Sequence, residues 1–453
     1  MPDPVITDFL LILLFLVFFL LTRKKLICNN VVLLISGIIF YAWWNIFRAV
    51  LLIVLLVFDH LMIKAFFRNE KWKSISLIIA ISINVAAWLF FKIFNNGIFG
   101  TDGFAIPLGM SFYLLRKISF LLAAYQKRSV CDSSFINYAL YISFFPQIIS
   151  GPIEKPEEFL AQLAKLRTPI KGQSIDNVQL LILGLLKKIV IADNLRVIVD
   201  RIFLLDPPPL LLLYVGTMAF AIQLFCDFSG YTDISRAIAG LLGFQTSQNF
   251  RHPFFSITPQ DFWNRWHFTF TQWLQTSIFF PLRRSLVSIR ELPGWVKNFL
   301  PVLLTMLLSG FWHGTGTHFW VWGLYHGLLL LAYRYLGLDK WARNSGWMGK
   351  VFLWFVTAQF LLLAWLIFRS NDMRWLCDLM ERQSPQMGIE QRVVAASIFF
   401  QMLVFSFPLV IHYLINRSKK VAVIGNPVFF AASIVLLLVF GFSGFQEFIY
   451  FAF

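Results

Sequence analysis

Long apolar runs separated by short polar gaps set the pattern of this chain. In the first half they cover residues 6–22, 31–47, 49–63, 75–93, 105–124 and 136–149. In the second half they cover 178–198, 209–226, 230–244, 297–312, 317–337, 350–368, 394–415 and 428–446. A helix needs about 20 residues to cross the hydrocarbon core. In lipid every backbone polar group must be satisfied within the protein, and helix does this for runs of such length. Several runs fall short of a full span. The pattern predicts an all-α, polytopic integral-membrane protein with about 10–12 transmembrane helices plus re-entrant or interfacial helices. It reads as a single membrane domain over residues 1–453.

Composition agrees. The chain is 58% hydrophobic and 14% charged, against roughly 45–50% and 25% in soluble domains. Its 52 Phe and 16 Trp suit lipid-facing surface and interfacial belts. The net charge of +16 would raise a nucleic-acid partner in a soluble protein. Here Lys and Arg collect in short loops, as retention on the cytoplasmic side requires, and no nucleic-acid partner is expected. Arg23-Lys24-Lys25, Lys64 to Lys73 and Lys127-Arg128 should be cytoplasmic. Trp43-Trp44-Asn45 and Asn95 to Gly103 should face outside. The first run follows acidic Asp3 and Asp8 and precedes the basic triplet, the reverse of a cleavable signal, so a retained first helix with an outside N-terminus is predicted. Cys28, Cys131, Cys226 and Cys377 have no paired spacing and suggest neither a disulfide framework nor a metal site.

Some stretches break the helical pattern. Phe144-Phe145-Pro146 and Ser150-Gly151-Pro152 interrupt an apolar run, so backbone there must be sheltered by protein or line a cavity. Glu154 to Leu166 is amphipathic and should lie in the interface plane, with Phe159, Leu160, Leu163 and Leu166 on one face and Glu154 among the polar positions. A second interfacial stretch begins near Pro259 and ends at Pro281 to Arg284. Lys187 and Lys188 sit inside an apolar helix and are expected to snorkel to the cytoplasmic surface.

Candidate chemistry gathers at two Trp-His pairs, Trp266-His267 and Trp312-His313, in a chain with seven histidines. Imidazole titrates near neutrality and moves protons. An ionisable group at membrane depth is costly and by default functional. His313 stands beside Gly310, Gly314 and Gly316, which let a substrate approach closely. Its apolar flanks favour neutral imidazole, which can act as a general base on a hydroxyl. Ser309, four residues earlier, is better read as bonding its own helix carbonyl than as a nucleophile. His318 and His326 read as secondary or structural. The stretch Asp261 to Trp273 sets Asn264, Arg265 and His267 among Phe and Trp residues. Asp227 and Asp233 flank a polar break, Ser229-Gly230, between two apolar runs. They either line a polar cavity or cap helix ends.

The chain resembles the membrane-bound O-acyltransferase family, in its bacterial branch of alginate O-acetyltransferase-like and teichoic-acid D-alanyltransferase-like proteins. The carriers are Pro107 to Tyr113, Tyr141 to Gln147 with Ser150 to Ile153, Gly184 to Asn194, and Asp227 to Asp233. They continue with Asn249-Phe250, Asp261 to His267, Gly310 to Gly314, Trp365 to Arg369 and Phe448 to Phe451. The resemblance implies that His313 is the catalytic histidine and His267 the second active-site histidine. It also implies a ring of tilted helices around a thin centre crossed by a tunnel. One departure stands out: Gln275-Thr276 occupies the place where alginate-type relatives carry Arg-Asp.

On this reading the protein passes an acyl group from a cytoplasmic thioester, such as acetyl-CoA, to a hydroxyl on an exported glycan, a cell-wall glycan or an extracytoplasmic acyl-relay partner. It does so in a bacterial inner membrane, in contact with lipid and with no bound cofactor or metal. His313 is the expected general base, and His267 orients or polarises the acyl carbonyl. Trp263, Trp266 and Trp312 wall the cavity, and Asn264, Asp227 and Asp233 complete the substrate-binding set. The alternatives are D-alanyl transfer to teichoic acid from a carrier-protein thioester, and a transporter. A transporter would favour repeat halves and mid-span charges.

Overall fold

A computed structural model describes residues 14–94, 107–166, 173–381 and 388–441. Asp3, Asp8, the segment Asn95 to Gly103 and the ending Phe448 to Phe451 lie outside the described residues. The described residues are helical, with no strand among them. Seven of their helices are long and apolar enough to cross a bilayer, including Ile46–Phe66, Leu210–Leu241 and Gly294–His313. The protein is therefore a multi-pass membrane protein. The chain divides into two compact units: residues 1–177 with 235–247, and residues 178–234 with 248–453.

In the first unit the chain leaves helix at Ser143, where Phe144-Phe145-Pro146 ends the Phe135–Ser143 helix. The non-helical backbone that follows is buried almost throughout, as lipid requires. Its neighbours supply polar order. Asp59 accepts from Tyr138 Oη at 2.7 Å and from Asn84 Nδ2 at 2.7 Å, and pairs with Lys117 Nζ at 3.1 Å. The amphipathic stretch is a short helix, Pro156–Leu163, whose apolar face buries Phe159 and Leu163, while Leu160 is half-buried and Leu166, beyond its end, is exposed. Glu154 departs from its predicted outward face. It is buried because Ser247 donates to it from backbone N (2.7 Å) and from Oγ (2.8 Å).

In the second unit two sequence expectations change. The polar stretch Asp227 to Asp233 does not divide two helices but lies within one continuous helix, Leu210–Leu241. Lys187 and Lys188 do not snorkel. Lys187 Nζ pairs with Asp233 at 2.6 Å, and Lys188 Nζ with Asp193 at 2.7 Å and Asp227 at 2.8 Å. The lysines neutralise the aspartates, so neither has to leave the protein interior. Their own segment, Leu186–Ala192, is a wide π turn between Gln173–Leu185 and Asp193–Phe203. Such turns insert an extra residue and re-aim side chains. Gly184 and Gly230 let the two helices touch: a Cβ on either would come within 2.8 Å of the other's carbonyl oxygen.

The helices Gly294–His313 and Thr317–Tyr335 cross closely. A side chain at Gly310 would run into the Phe319 carbonyl, and one at Gly323 into that of Met306. The second interfacial stretch is the run of short helices Pro259–Trp263, Phe268–Leu274 and Phe280–Ser288. It runs past its expected end at Pro281 to Arg284 and continues to Ser288. A π turn, Gln275–Phe279, precedes the proline, where the shifted hydrogen-bond pattern tolerates its missing N–H.

Candidate active site

His267 caps the Phe268–Leu274 helix with a left-handed backbone, φ 43° and ψ 52°. A non-glycine residue held there costs about 1–3 kcal/mol and persists only where its surroundings over-determine it. Here Phe268 N donates to Asn249 O at 2.8 Å and Arg251 N to Arg265 O at 2.9 Å, tying the turn to the preceding loop. Thr258 caps the short helix ahead, accepting from Asp261 N at 3.1 Å, and Arg265 Nε donates to Asp261 at 2.7 Å.

The Asn249 side chain fixes the imidazole. Its Oδ1 accepts from Thr269 N at 3.2 Å and from Thr269 Oγ1 at 3.0 Å, and lies 3.1 Å from His267 Nδ1. A backbone N–H only donates, so this end of the amide is the oxygen. His267 Nδ1 therefore carries the proton, and Nε2 presents a lone pair. Burial disfavours the charged ring and pushes its pKa down to about 3. A neutral ring so held accepts a hydrogen bond. It suits orienting a hydroxyl and does not suit polarising a carbonyl.

His313 ends the Gly294–His313 helix and is buried. The glycines beside it do not hold space for substrate. A side chain at Gly314 would strike the Phe319 ring, and one at Gly316 the His318 ring, so their role is close packing. The two histidines share neighbours. The Phe270 ring centroid lies 4.9 Å from His267 and 6.1 Å from His313, and that of Trp312 lies 6.4 Å and 4.9 Å from the same rings. Ser309, on the same face as His313, is fully buried. Contrary to expectation its Oγ bonds no helix carbonyl and has no hydrogen-bond partner among the described residues.

A cavity of about 20 Å³ adjoins His313, with Trp263, Trp266, Trp322, His326 and Trp365 in its wall. Trp263 also lines a larger cavity of about 340 Å³. Gln275, Arg283, Arg334 and Asp339 supply polar groups there among apolar walls. Among the candidates from sequence, Trp263, Trp266, Trp312, His267 and His313 thus gather in one aromatic region. Asn264 is exposed at the end of its helix and lines neither cavity. Asp227 and Asp233 are bound to the lysines and also line neither, while Phe228 between them packs on His267 at 4.6 Å. Sequence reasoning passed over Asn249 as the clamp of His267 and Trp322 in the small cavity, and read His326, also in that cavity, only as secondary or structural. For Asn249 the signal was its place among the family-like motifs. For the other two, four-residue spacing on one helix face gave only apolar periodicity. Among the described residues no three of His, Cys, Asp and Glu gather as metal ligands would.

Residues 38–371 match the profile described as MBOAT, membrane-bound O-acyltransferase family. The probable alginate O-acetylase of Pseudomonas putida is 29% identical over 318 residues, covering 67% of this chain and 62% of that protein. The peptidoglycan O-acetyltransferase of Helicobacter pylori is 30% identical over 344 residues, covering 67% and 63%. The teichoic acid D-alanyltransferase of Bacillus subtilis is 26% identical over 255 residues, covering 53% and 62%. The chain thus spans less than two thirds of the length of these relatives.

Proposed function

The chain belongs to the membrane-bound O-acyltransferase family, and from that premise we propose that it moves a short acyl group, in the first instance acetyl, from a cytoplasmic thioester to a hydroxyl on the outer side of a bacterial inner membrane. The acceptor is an exported polysaccharide, a cell-wall glycan or an extracytoplasmic partner that relays the group, and residues 1–453 work as one acyltransferase domain. The relatives named for alginate and peptidoglycan O-acetylation support the acetyl group and the glycan. The observation that carries the reading is that both histidines, His267 and His313, pack on the same two rings, Phe270 and Trp312.

His313 takes the proton of the acceptor hydroxyl as its oxygen adds to the acyl carbon. The carbon–sulfur bond then breaks, the ester remains on the acceptor, and the proton leaves with the thiol. His267 orients the hydroxyl by accepting a hydrogen bond at Nε2. Trp263, Trp266 and Trp312 exclude water, which would otherwise hydrolyse the thioester. The cavity of about 340 Å³ suits the thioester arm, with Arg283 and Arg334 available to an anionic handle. Gln275, in the place of the usual Arg, lies in its wall and bears on which donor enters.

D-alanyl transfer to teichoic acid is the second reading, favoured by the Bacillus subtilis relative. Purified protein offered acetyl, D-alanyl, butyryl and palmitoyl thioesters with a polysaccharide acceptor tests both. Acetyl transfer in preference to the others is expected. Preference for D-alanyl selects the second reading, and preference for palmitoyl removes both.

A further inference from the structure

At about 20 Å³ the cavity beside His313 holds one oxygen atom with its hydrogens, since a water needs roughly 10–15 Å³. Its wall contains polar atoms without assigned work. Trp263 Nε1, Trp322 Nε1 and His326 Nδ1 are buried and have no hydrogen-bond partner among the described residues. All three residues line this cavity. Native proteins leave few buried polar atoms unsatisfied, and each such atom asks for an explanation. Three around one water-sized space is a concentration of them.

The rings form a rigid cluster. Trp263 and Trp322 lie 5.9 Å apart, His326 packs on them at 5.1 Å and 4.7 Å, and His313 lies 5.1 Å from Trp322. An indole N–H donates and never accepts. Two residues with such unpaired donors line one small cavity, and an oxygen with two lone pairs seated there would serve both. His267 cannot serve as the donor instead, because its N–H is committed to Asn249.

We propose that this cavity is the oxyanion site of the transfer reaction: Trp263 and Trp322 donate through Nε1–H to the acyl carbonyl oxygen, and His326 holds the two indoles in register. The assignment rests on the transferase reading above. As the acceptor oxygen adds to the acyl carbon, the carbonyl becomes a negatively charged oxygen held by the two N–H groups. The charge returns to the carbonyl when the carbon–sulfur bond breaks. Preorganised donors in a dry site stabilise such charge strongly. Trp263 also forms part of the larger cavity's wall, so the two spaces meet at this residue.

The test uses two carba analogues of S-acetyl-N-acetylcysteamine. In one, a methylene replaces the sulfur and the ketone remains. In the other, the carbonyl is also replaced by a methylene. Binding to the detergent-purified full chain is measured by calorimetry, alongside transfer kinetics. The parent should bind the ketone more tightly, and Trp322→Phe or Trp263→Phe should reduce that preference. Each substitution should lower kcat about 10²–10³-fold with KM changed little. His326→Asn should give a smaller loss. A parent that binds both analogues equally overturns the proposal whether or not the variants fold, as do well-folded variants that keep the full ketone preference. Transfer by a parent that ignores the carbonyl would remove the oxyanion site and leave the transferase reading. A ketone preference without transfer to any hydroxyl would remove the transferase reading, and the oxyanion role with it.

Discussion

Asn249 leaves His267 with Nε2 as its working atom, while His313 stands where a proton must be taken up. General-base catalysis is typically worth about 10²–10⁴-fold. His313→Gln should therefore lose most transfer, because an amide forms hydrogen bonds but does not take the proton. His267→Gln should retain more, since its side-chain oxygen still accepts. The measure is acyl transfer per amount of monodisperse protein; the reverse order would exchange the two roles. Burial of His267 also has a consequence for acid stability. An unfolded imidazole titrates at about 6.5, and the buried one at about 3. Between those values the unfolded chain binds more protons, so stability falls as pH drops through the window. The melting temperature in micelles should fall from pH 7 to pH 5, and His267→Gln should fall less. An equal fall in both proteins would mean that His267 does not titrate on unfolding.

Helix Leu210–Leu241 owes its continuity to charges on its neighbour. Removing one partner of a buried ion pair costs about 3–5 kcal/mol, while removing both can be nearly neutral. Lys188→Met should therefore destabilise sharply, and adding Asp227→Asn with Asp193→Asn should recover much of the loss. Melting curves of the single and triple variants decide this, and additive losses would mean that the pairs carry no mutual compensation. The two aspartates were legible as a polar interruption. Their partners were not, because pairing across 46 residues, as between Lys187 and Asp233, leaves no local pattern. For the same reason the second interfacial stretch read as ending at Pro281 to Arg284 and not at Ser288, since the π turn ahead of the proline has no sequence signal. The Trp-His pairs were legible because histidine is rare here and apolar runs flank it. The glycines near His313 were legible as a need for close approach, but what fills the space, Phe319 and His318, emerged only from helix crossing.

For the whole molecule, hydropathy foretold the class and most helices, because a bilayer imposes length and apolarity on each crossing. Orientation follows from the basic loops. Asn69 lies in the turn between Ile46–Phe66 and Glu70–Phe94 and should be cytoplasmic, whereas exposed Ile46 at the opposite end of its helix should face outside. In a cysteine-free background, an impermeant thiol reagent on intact cells should label Ile46→Cys and not Asn69→Cys. The opposite result would invert the topology.

The lysine and aspartate pairs also constrain how the protein is made. A charged residue at the centre of a segment costs roughly 2.5–3.5 kcal/mol when that segment is offered alone to the translocon. Residues 173–203 carry Lys187 and Lys188, and Leu210–Leu241 carries Asp227 and Asp233. Residues 204–209 are all that separates them. Each segment alone should partition into lipid less readily than its apolar residues would by themselves. Joined, they neutralise each other before either meets hydrocarbon. Leaving the translocon together as a hairpin, with the second finished before the first commits to the membrane, would spare both that cost.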